Sequence, residues 1–243
     1  MYIMKKHIAA LLTGRGNNTM KDKNIYEVLG KPLLSYPCIS SKESNLIDSY
    51  WVSSDCDKIL AAASNYEFEI IKRPIELGSP TAQHVDVIDH ALEVIRKEKI
   101  APDILVVLLA NTVTIKKEWI DDCITELLKD DSLTACVPVY REMDHHPCRA
   151  KKVGEDGALT TFFDFKGVNI STNRQELEPC FFLCHNFWVL NLNTIDRNKG
   201  QQPWKFMGNK VKHYEIDEAF DVHTLEDIDR SQKWLIKNNI ATV

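Results

Sequence analysis

The sequence predicts an α/β protein built on a mostly parallel, doubly wound sheet. Short apolar runs recur along the chain, and the segments between them carry apolar residues at three- and four-residue steps. Strand, helix and strand in repeated order place a parallel sheet between helices on both faces. No internal repeat, low-complexity tract or flexible linker interrupts this order, so the 243 residues are expected to form a single domain.

The runs from Ile8 to Leu12, Leu46 to Val52, Phe68 to Ile71, Ile104 to Leu109 and Leu133 to Val139 are expected as buried strands. Val85, Ile88, Ala91, Leu92 and Ile95 share one helix face, as do Trp119, Ile120, Cys123, Ile124, Leu127 and Leu128. The rhythm breaks between about Tyr140 and Pro179, where polar and turn residues surround short strand-like pieces such as Leu159 to Phe165. That stretch, about residues 140–180, is expected as an antiparallel excursion from the main sheet. Phe181 to Leu190 returns as an apolar strand, and a last helix is expected from Thr224 to about Lys237.

Composition narrows the function classes. The chain is 44% hydrophobic and 27% charged, ordinary for a globular protein large enough to bury a core. A net charge of −5 argues against non-specific nucleic-acid binding. No window reaches the ~18 uninterrupted apolar residues of a membrane span. The apolar run behind Met1 to His7 stops at Leu12 and enters a glycine turn, unlike a signal-peptide cleavage region. Seven scattered cysteines, an odd number, suit reduced thiols and a cytoplasmic location.

Ligands of such sheets bind beyond the carboxyl ends of the strands. The loop after the first strand, Thr13-Gly14-Arg15-Gly16-Asn17-Asn18-Thr19-Met20-Lys21-Asp22-Lys23-Asn24, lies at that place. Its glycines allow close backbone approach to a phosphate, and its cations supply charge-assisted hydrogen bonds. The loop lacks the Gly-Lys-Ser/Thr ending of a Walker A motif and is not G-x-G-x-x-G. A solvated basic turn is the ordinary alternative.

The loop resembles the signature of acylneuraminate cytidylyltransferases, close to A-R-G-G-S-K-G-I-K-N-K-N. Further segments match in the same order. Gly30-Lys31-Pro32-Leu33-Leu34 resembles x-K-P-L-I, where a helix begins with Pro near its first turn. Val52-Ser53-Ser54-Asp55 resembles V-S-T-D, and Arg73-Pro74-Ile75-Glu76-Leu77 resembles R-P-x-x-L. Leu108 to Lys116 resembles L-L-Q-P-T-S-P-L-R, and His146-Pro147 resembles an H-P in the excursion. Arg174-Gln175-Glu176-Leu177 resembles R-Q-D-L, and Phe220-Asp221-Val222-His223-Thr224 resembles I-D-I-D-T. The related Kdo cytidylyltransferases have a loop closer to A-R-L-G-S-x-R-L-P-x-K-P-L, which fits less well.

The resemblance implies a Rossmann-like nucleotidyltransferase fold and a reaction in which the anomeric hydroxyl of a keto sugar acid attacks the α-phosphorus of CTP, with Mg²⁺ assistance. It implies nucleotide contacts from Gly14, Arg15, Gly16, Asn17, Lys21, Lys23, Asn24, Arg73 and Asn111. Thr112, His146, Arg174, Gln175, His185 and Asn186 fall on the sugar side, where an arginine suits a carboxylate. Arg15, Lys23 and Asp221 are the expected catalytic residues, and Asp221 with His223 the expected metal ligands. The ordinary alternative for Asp221 is a cap or turn residue before the last helix. The excursion implies a homodimer completing its neighbour's sugar site, with Arg149, Lys151 and Lys152 on the shared surface.

Several positions depart from the pattern. The loop is one residue shorter, Thr19 stands near an expected lysine, and Pro80 replaces an expected aspartate. Ala110-Asn111 replaces Gln-Pro, and Cys184-His185-Asn186 replaces N-G-A. His223 replaces the second aspartate of the metal motif, which favours Mn²⁺ relative to Mg²⁺. These changes motivate a second hypothesis, a catalytically silent relative that only binds nucleotide or sugar. Cys180-x3-Cys184-His185 resembles part of a zinc site, but strand positions four apart share a face and cysteine is common in cores. Asp144-His145-His146 is a candidate metal or pocket group, with a solvated turn as the alternative. Trp204, Phe206 and Met207 are expected as a satellite cluster under a long loop rather than a ligand wall.

Overall fold

The computed structural model describes residues 5–16 and 20–240. Its centre is an eight-stranded sheet. Strand β1 (Ile8–Thr13) is apolar but for its last residue and buried on both faces, as a central strand between helix layers requires. A two-residue pair, β2 (Glu27–Val28) and β3 (Lys31–Pro32), precedes helix α1 (Ser35–Lys42). Then follow β4 (Ser49–Ser54), α2 (Asp57–Ser64), β5 (Glu69–Lys72), α3 (His84–Lys97), β6 (Ile104–Leu109), α4 (Lys117–Lys129) and β7 (Ala135–Arg141). The excursion holds the hairpin β8 (Lys151–Val153) and β9 (Leu159–Thr161). The chain returns through β10 (Phe181–Leu183), β11 (Phe187–Asn191), β12 (Val211–Glu215) and α5 (Leu225–Lys237).

Strand order is β10-β7-β11-β6-β1-β4-β5, with β12 also paired to β7. From β6 through β5 the pairs are parallel, and β11 enters antiparallel between β6 and β7. Alternation along β1 divides the core. Ile8, Ala10 and Leu12 face α1, α2 and α4, whereas Ala9 and Leu11 face α3. A third cluster joins Trp234 and Leu235 of α5 to Val28 and Leu33.

Several sequence expectations change. Gly30-Lys31-Pro32 turns through the β2–β3 pair, and the helix starts only at Ser35; the proline in its first turn is Pro37, where the missing N–H belongs to an otherwise orphaned donor. The strand expected from Leu46 begins at Ser49 because Asp48 turns back to the sheet, its N–H donating to Ile8 O at 2.8 Å. Beyond Thr161 the strand-like piece ends. Phe206 and Met207 join the main core layer beneath α3 instead of forming a satellite.

The largest change is in Phe181 to Leu190. On β7, Leu183 pairs with Val139 and Val189 with Cys136. Five residues (184–188) thus lie opposite two (137–138), and the excess of three forms a bulge around Cys184-His185-Asn186. Both flanks are pinned. Cys184 N–H donates to Pro138 O at 2.9 Å, and Asn186 Nδ2 donates to Thr114 O at 2.8 Å. Among the described residues no helix is long and apolar enough to cross a membrane.

Candidate active site

The carboxyl ends of β1, β5 and β6 open onto a cavity of about 270 Å³. The glycine loop forms one wall, the segment from Arg73 to His84 a second, and Asn111 with His223 a third. Loop and sheet meet tightly at Gly14. Its N–H donates to Ser53 O at 3.3 Å, and a Cβ there would stand 2.9 Å from Ala110 Cβ. Past Gly14 the loop folds back on itself, with Asn24 Nδ2 donating to Arg15 O at 3.0 Å. Asn24 Oδ1 is buried with no hydrogen-bond partner among the described residues.

Two cations of the loop reach different walls. Arg15 Nη1 donates to Ser79 O at 3.3 Å. Lys23, only 7% exposed, donates from Nζ to Val222 O at 2.8 Å. Burial pushes its ammonium below the usual lysine range and Arg15 pushes the same way, while Asp221 and Asp227 oppose. Arg73 is buried between Ser53 O (2.7 Å from Nη2), Ser53 Oγ (3.3 Å from Nε) and Leu77 O (3.5 Å from Nη1). Burial, with Arg15 nearby, lowers the guanidinium to about 10 against the pull of Asp55.

The segment holding Asp221 is stitched to the end of β6. Val222 N–H donates to Asn111 O at 2.8 Å, and the Thr112 and Thr114 hydroxyls donate to Phe220 O at 3.0 and 3.2 Å. Asn111 Nδ2 approaches Asp221 Oδ2 at 3.5 Å, and His223 Nε2 lies 3.1 Å from the same oxygen. The residue capping α5 is Thr224, in a reciprocal capping box with Asp227, so Asp221 is not the cap. As arranged, His223 turns Nε2 to the carboxylate and orients it.

Of the expected nucleotide residues, Gly14, Arg15, Lys23, Asn24, Arg73 and Asn111 line the cavity. Gly16 stands behind that wall, Lys21 is exposed and does not line the cavity, and Asn17 lies outside the described residues, as does Thr19. The expected sugar residues are not gathered. Thr112 is fully buried and Asn186 is 1% exposed, their polar atoms bonded inside the fold, so both belong to the framework and not to the cavity surface. His146 is 8% exposed, with Nε2 on Glu178 O at 3.1 Å and Nδ1 accepting from Cys148 N–H at 3.2 Å. Arg174 and Gln175 are exposed on the excursion, where Arg174 pairs with Asp144. His185, at the bulge, packs its ring against Trp188 and Trp204 with centroids 5.9 and 5.7 Å apart.

Among the described residues no group of three His, Cys, Asp or Glu could hold a metal ion, which removes the zinc reading of Cys180, Cys184 and His185. Cys184 is a core thiol pushed up to about 12, chiefly by burial and secondarily by Asp221. Two residues at the site carried no sequence signal of their own. His84, first in α3, lines the cavity with Nε2 3.0 Å from Thr13 Oγ1, and Asp55 accepts the Gly16 N–H at 3.0 Å. A lone histidine at the start of a helix has no period to betray it, and Asp55 was visible only as part of a matched segment.

The sequence model of a protein family described as Cytidylyltransferase matches residues 15–175. A protein of Oncorhynchus mykiss named N-acylneuraminate cytidylyltransferase is 25% identical over 239 residues, covering 93% of this chain and 49% of its own length. The pseudaminic acid cytidylyltransferase of Campylobacter jejuni subsp. jejuni is 24% identical over 128 residues, covering 52% of this chain and 55% of its own. The chain thus spans about half the length of these curated relatives. A solved structure of CMP:2-keto-3-deoxy-manno-octonic acid synthetase complexed with CTP has a TM-score of 0.67 at 12% identity, covering 96% of this chain and 99% of that one. At that identity the likeness shows a shared fold.

Proposed function

The chain belongs to the cytidylyltransferase family, and from that premise we propose that it transfers CMP from CTP to the anomeric hydroxyl of a sialic-acid-like keto sugar acid, releasing pyrophosphate. One observation carries the reading. Lys23 of the glycine loop is hydrogen-bonded to Val222, the neighbour of Asp221. Lys23 lines one cavity together with Arg15 and with His223, whose Nε2 lies 3.1 Å from Asp221 Oδ2, so the loop's cations meet the segment that carries the carboxylate. An ammonium has three donors. Lys23 can therefore keep the Val222 carbonyl and hold a phosphate oxygen at once. Arg15 adds a second cation where charge accumulates on the departing pyrophosphate, which is where positive charge lowers the barrier most. Neutral side-chain amides complete the wall: Asn24, whose unpartnered Oδ1 is an acceptor, and Asn111.

A divalent cation fits this donor set. Asp221 offers a hard oxygen with its side chain 28% exposed, and Mg²⁺ takes most of its ligands from substrate phosphates and water. When bound, Mg²⁺ supplies neutralisation of the triphosphate charge. His223 serves here by orienting Asp221, with Mn²⁺ as the alternative ion if its imidazole turns to the metal.

The sugar site is completed by a second copy of the chain. The excursion exposes Val153, Leu159, Phe162 and Val168, and it carries Arg174 and Gln175 away from the cavity of their own chain. An excursion of this shape supports a homodimer in which each copy lends these side chains to the other. All seven cysteines are free thiols, which supports a reducing, cytoplasmic location.

The test is pyrophosphate release from CTP and Mg²⁺ with a panel of keto sugar acids, including sialic, legionaminic, pseudaminic and Kdo acids, and mass spectrometry of the CMP-sugar formed. CTP binding without release for any acid identifies a silent relative and refutes the enzyme reading; turnover of Kdo alone reassigns the substrate. Asp221→Ala should lower turnover by about 10²-fold or more while leaving the melting temperature within a few degrees. Turnover like that of the wild type would remove Asp221 from the mechanism.

A further inference from the structure

At the end of β4 one carboxylate stands between two segments, the glycine loop and the turn that follows Arg73. Asp55 follows β4, whose last residues Ser53 and Ser54 are fully buried, so the sheet fixes where its side chain starts. Its Oδ1 accepts the Gly16 N–H at 3.0 Å. On its other side lies the turn Ile75–Gly78, where a Cβ on Gly78 would stand 2.7 Å from both Cγ and Oδ2 of Asp55. Two arginines hold that turn by its carbonyls, Arg73 at Leu77 and Arg15 at Ser79.

None of the steps proposed for CMP transfer uses Asp55. A carboxylate at this place repels a triphosphate, so its charge works against the ligand the loop is built for. What it provides is shape. The loop carries two glycines in three residues, and such a segment loses more conformational freedom on ordering than any other. A fixed acceptor on one of those glycines orders the backbone before the ligand arrives, and ordering in advance appears as affinity.

We propose that Asp55 is a positioning residue: by holding the Gly16 N–H against the Gly78 turn, it sets the glycine loop in the shape that receives the triphosphate of CTP. This rests on the CTP reading of the cavity. The contact can be broken from either side. Asp55→Ala removes the acceptor, and Asp55→Asn keeps an oxygen in its place. Gly78→Ala leaves Asp55 intact but drives a methyl group into its carboxylate, and Gly78 does not have the positive φ that would make alanine strained in itself.

The experiment is calorimetric titration of CTP with Mg²⁺ into these variants, with melting temperatures, steady-state kinetics and hydrogen exchange of loop peptides. Asp55→Ala and Gly78→Ala should each weaken CTP about ten-fold, and Asp55→Asn by no more than about three-fold, as expected for one hydrogen bond to a charged acceptor. Exchange at the Gly16 amide should rise in the first two variants only. The kcat at saturating CTP and the KM for the sugar acid should change little. CTP affinity like that of the wild type in both Asp55→Ala and Gly78→Ala overturns the proposal. So does a loss in Asp55→Asn equal to that in Asp55→Ala, which would assign the role to charge. If wild-type protein binds no CTP, the nucleotide reading fails instead, and exchange at Gly16 alone decides whether Asp55 orders the loop.

Discussion

Replacing His84 by Gln should flatten the acid limb of the protein's stability curve. The imidazole sits at the start of α3, with Nε2 on Thr13 Oγ1 and its ring edge on Trp188, centroids 5.0 Å apart. Burial, then the positive charge of Arg73, then His185 hold its pKa down at about 4 against an unperturbed 6.5. Between those values the unfolded chain binds a proton that the folded chain refuses. Stability from this group is therefore complete above pH 6.5, falls as pH drops towards 4, and falls no further below it. At ~1.4 kcal/mol per pH unit over that interval, the loss reaches about 3 kcal/mol. Urea unfolding from pH 7.5 to 4, wild type against His84→Gln, isolates the effect, because the other titrating groups are common to both and cancel in the difference. The gap between the two proteins should shift by about 2–3 kcal/mol in favour of the variant as pH falls. Parallel curves would show that the folded protein accepts the proton at no cost, and would refute the assignment of His84 as a neutral wall of the cavity.

Two further substitutions test the cavity by other routes. Gly14→Ala places a methyl group 2.9 Å from Ala110 Cβ and 3.2 Å from Asn24 Nδ2, so the loop must shift; CTP should bind about ten-fold more weakly or worse in calorimetry, and unchanged affinity would contradict the close packing described. Arg73→Lys keeps the charge but not the fork that reaches Ser53 and Leu77 together; denaturant titration should show a loss of about 2 kcal/mol, and a change below ~0.5 kcal/mol would mean those carbonyls are served by other donors.

The strands legible in the sequence were those whose neighbours cover both faces. Ile104 to Leu109 is apolar at every position, and its boundaries match the structure residue for residue. The helix faces at Val85 to Ile95 and Trp119 to Leu127 were equally plain, because period alone defines them, but Leu128, expected on the second face, is 41% exposed. Helices α1 and α2 left little trace. Both are only eight residues long, and α1 buries serines as often as apolar side chains. The bulge at Cys184 was hidden for another reason: pairing with β7 decides it, and a partner strand is not written in the strand itself. The same limit applies to the site. The loop from Gly14 to Asn24 is contiguous and could be found as a segment, whereas the bond from Lys23 to Val222 spans 199 residues. Thr112 and Asn186 were placed on the sugar side by their position along the chain, but the hydrogen bonds that turn them inward depend on Phe220 and Thr114.

The bulge between β10 and β11 bears on how such a protein can change. Its outer residues are anchors, Cys184 at 2% exposure and Asn186 at 1%, and the two strands they terminate are already in register with β7. Between them His185 alone is part-exposed, within electrostatic reach of His84 on the cavity wall. A substitution at that one position alters neither a ladder hydrogen bond nor the order of strands. Chemistry and architecture are thereby kept in separate letters of the sequence, and a library varied at residue 185 samples new surfaces on a constant scaffold.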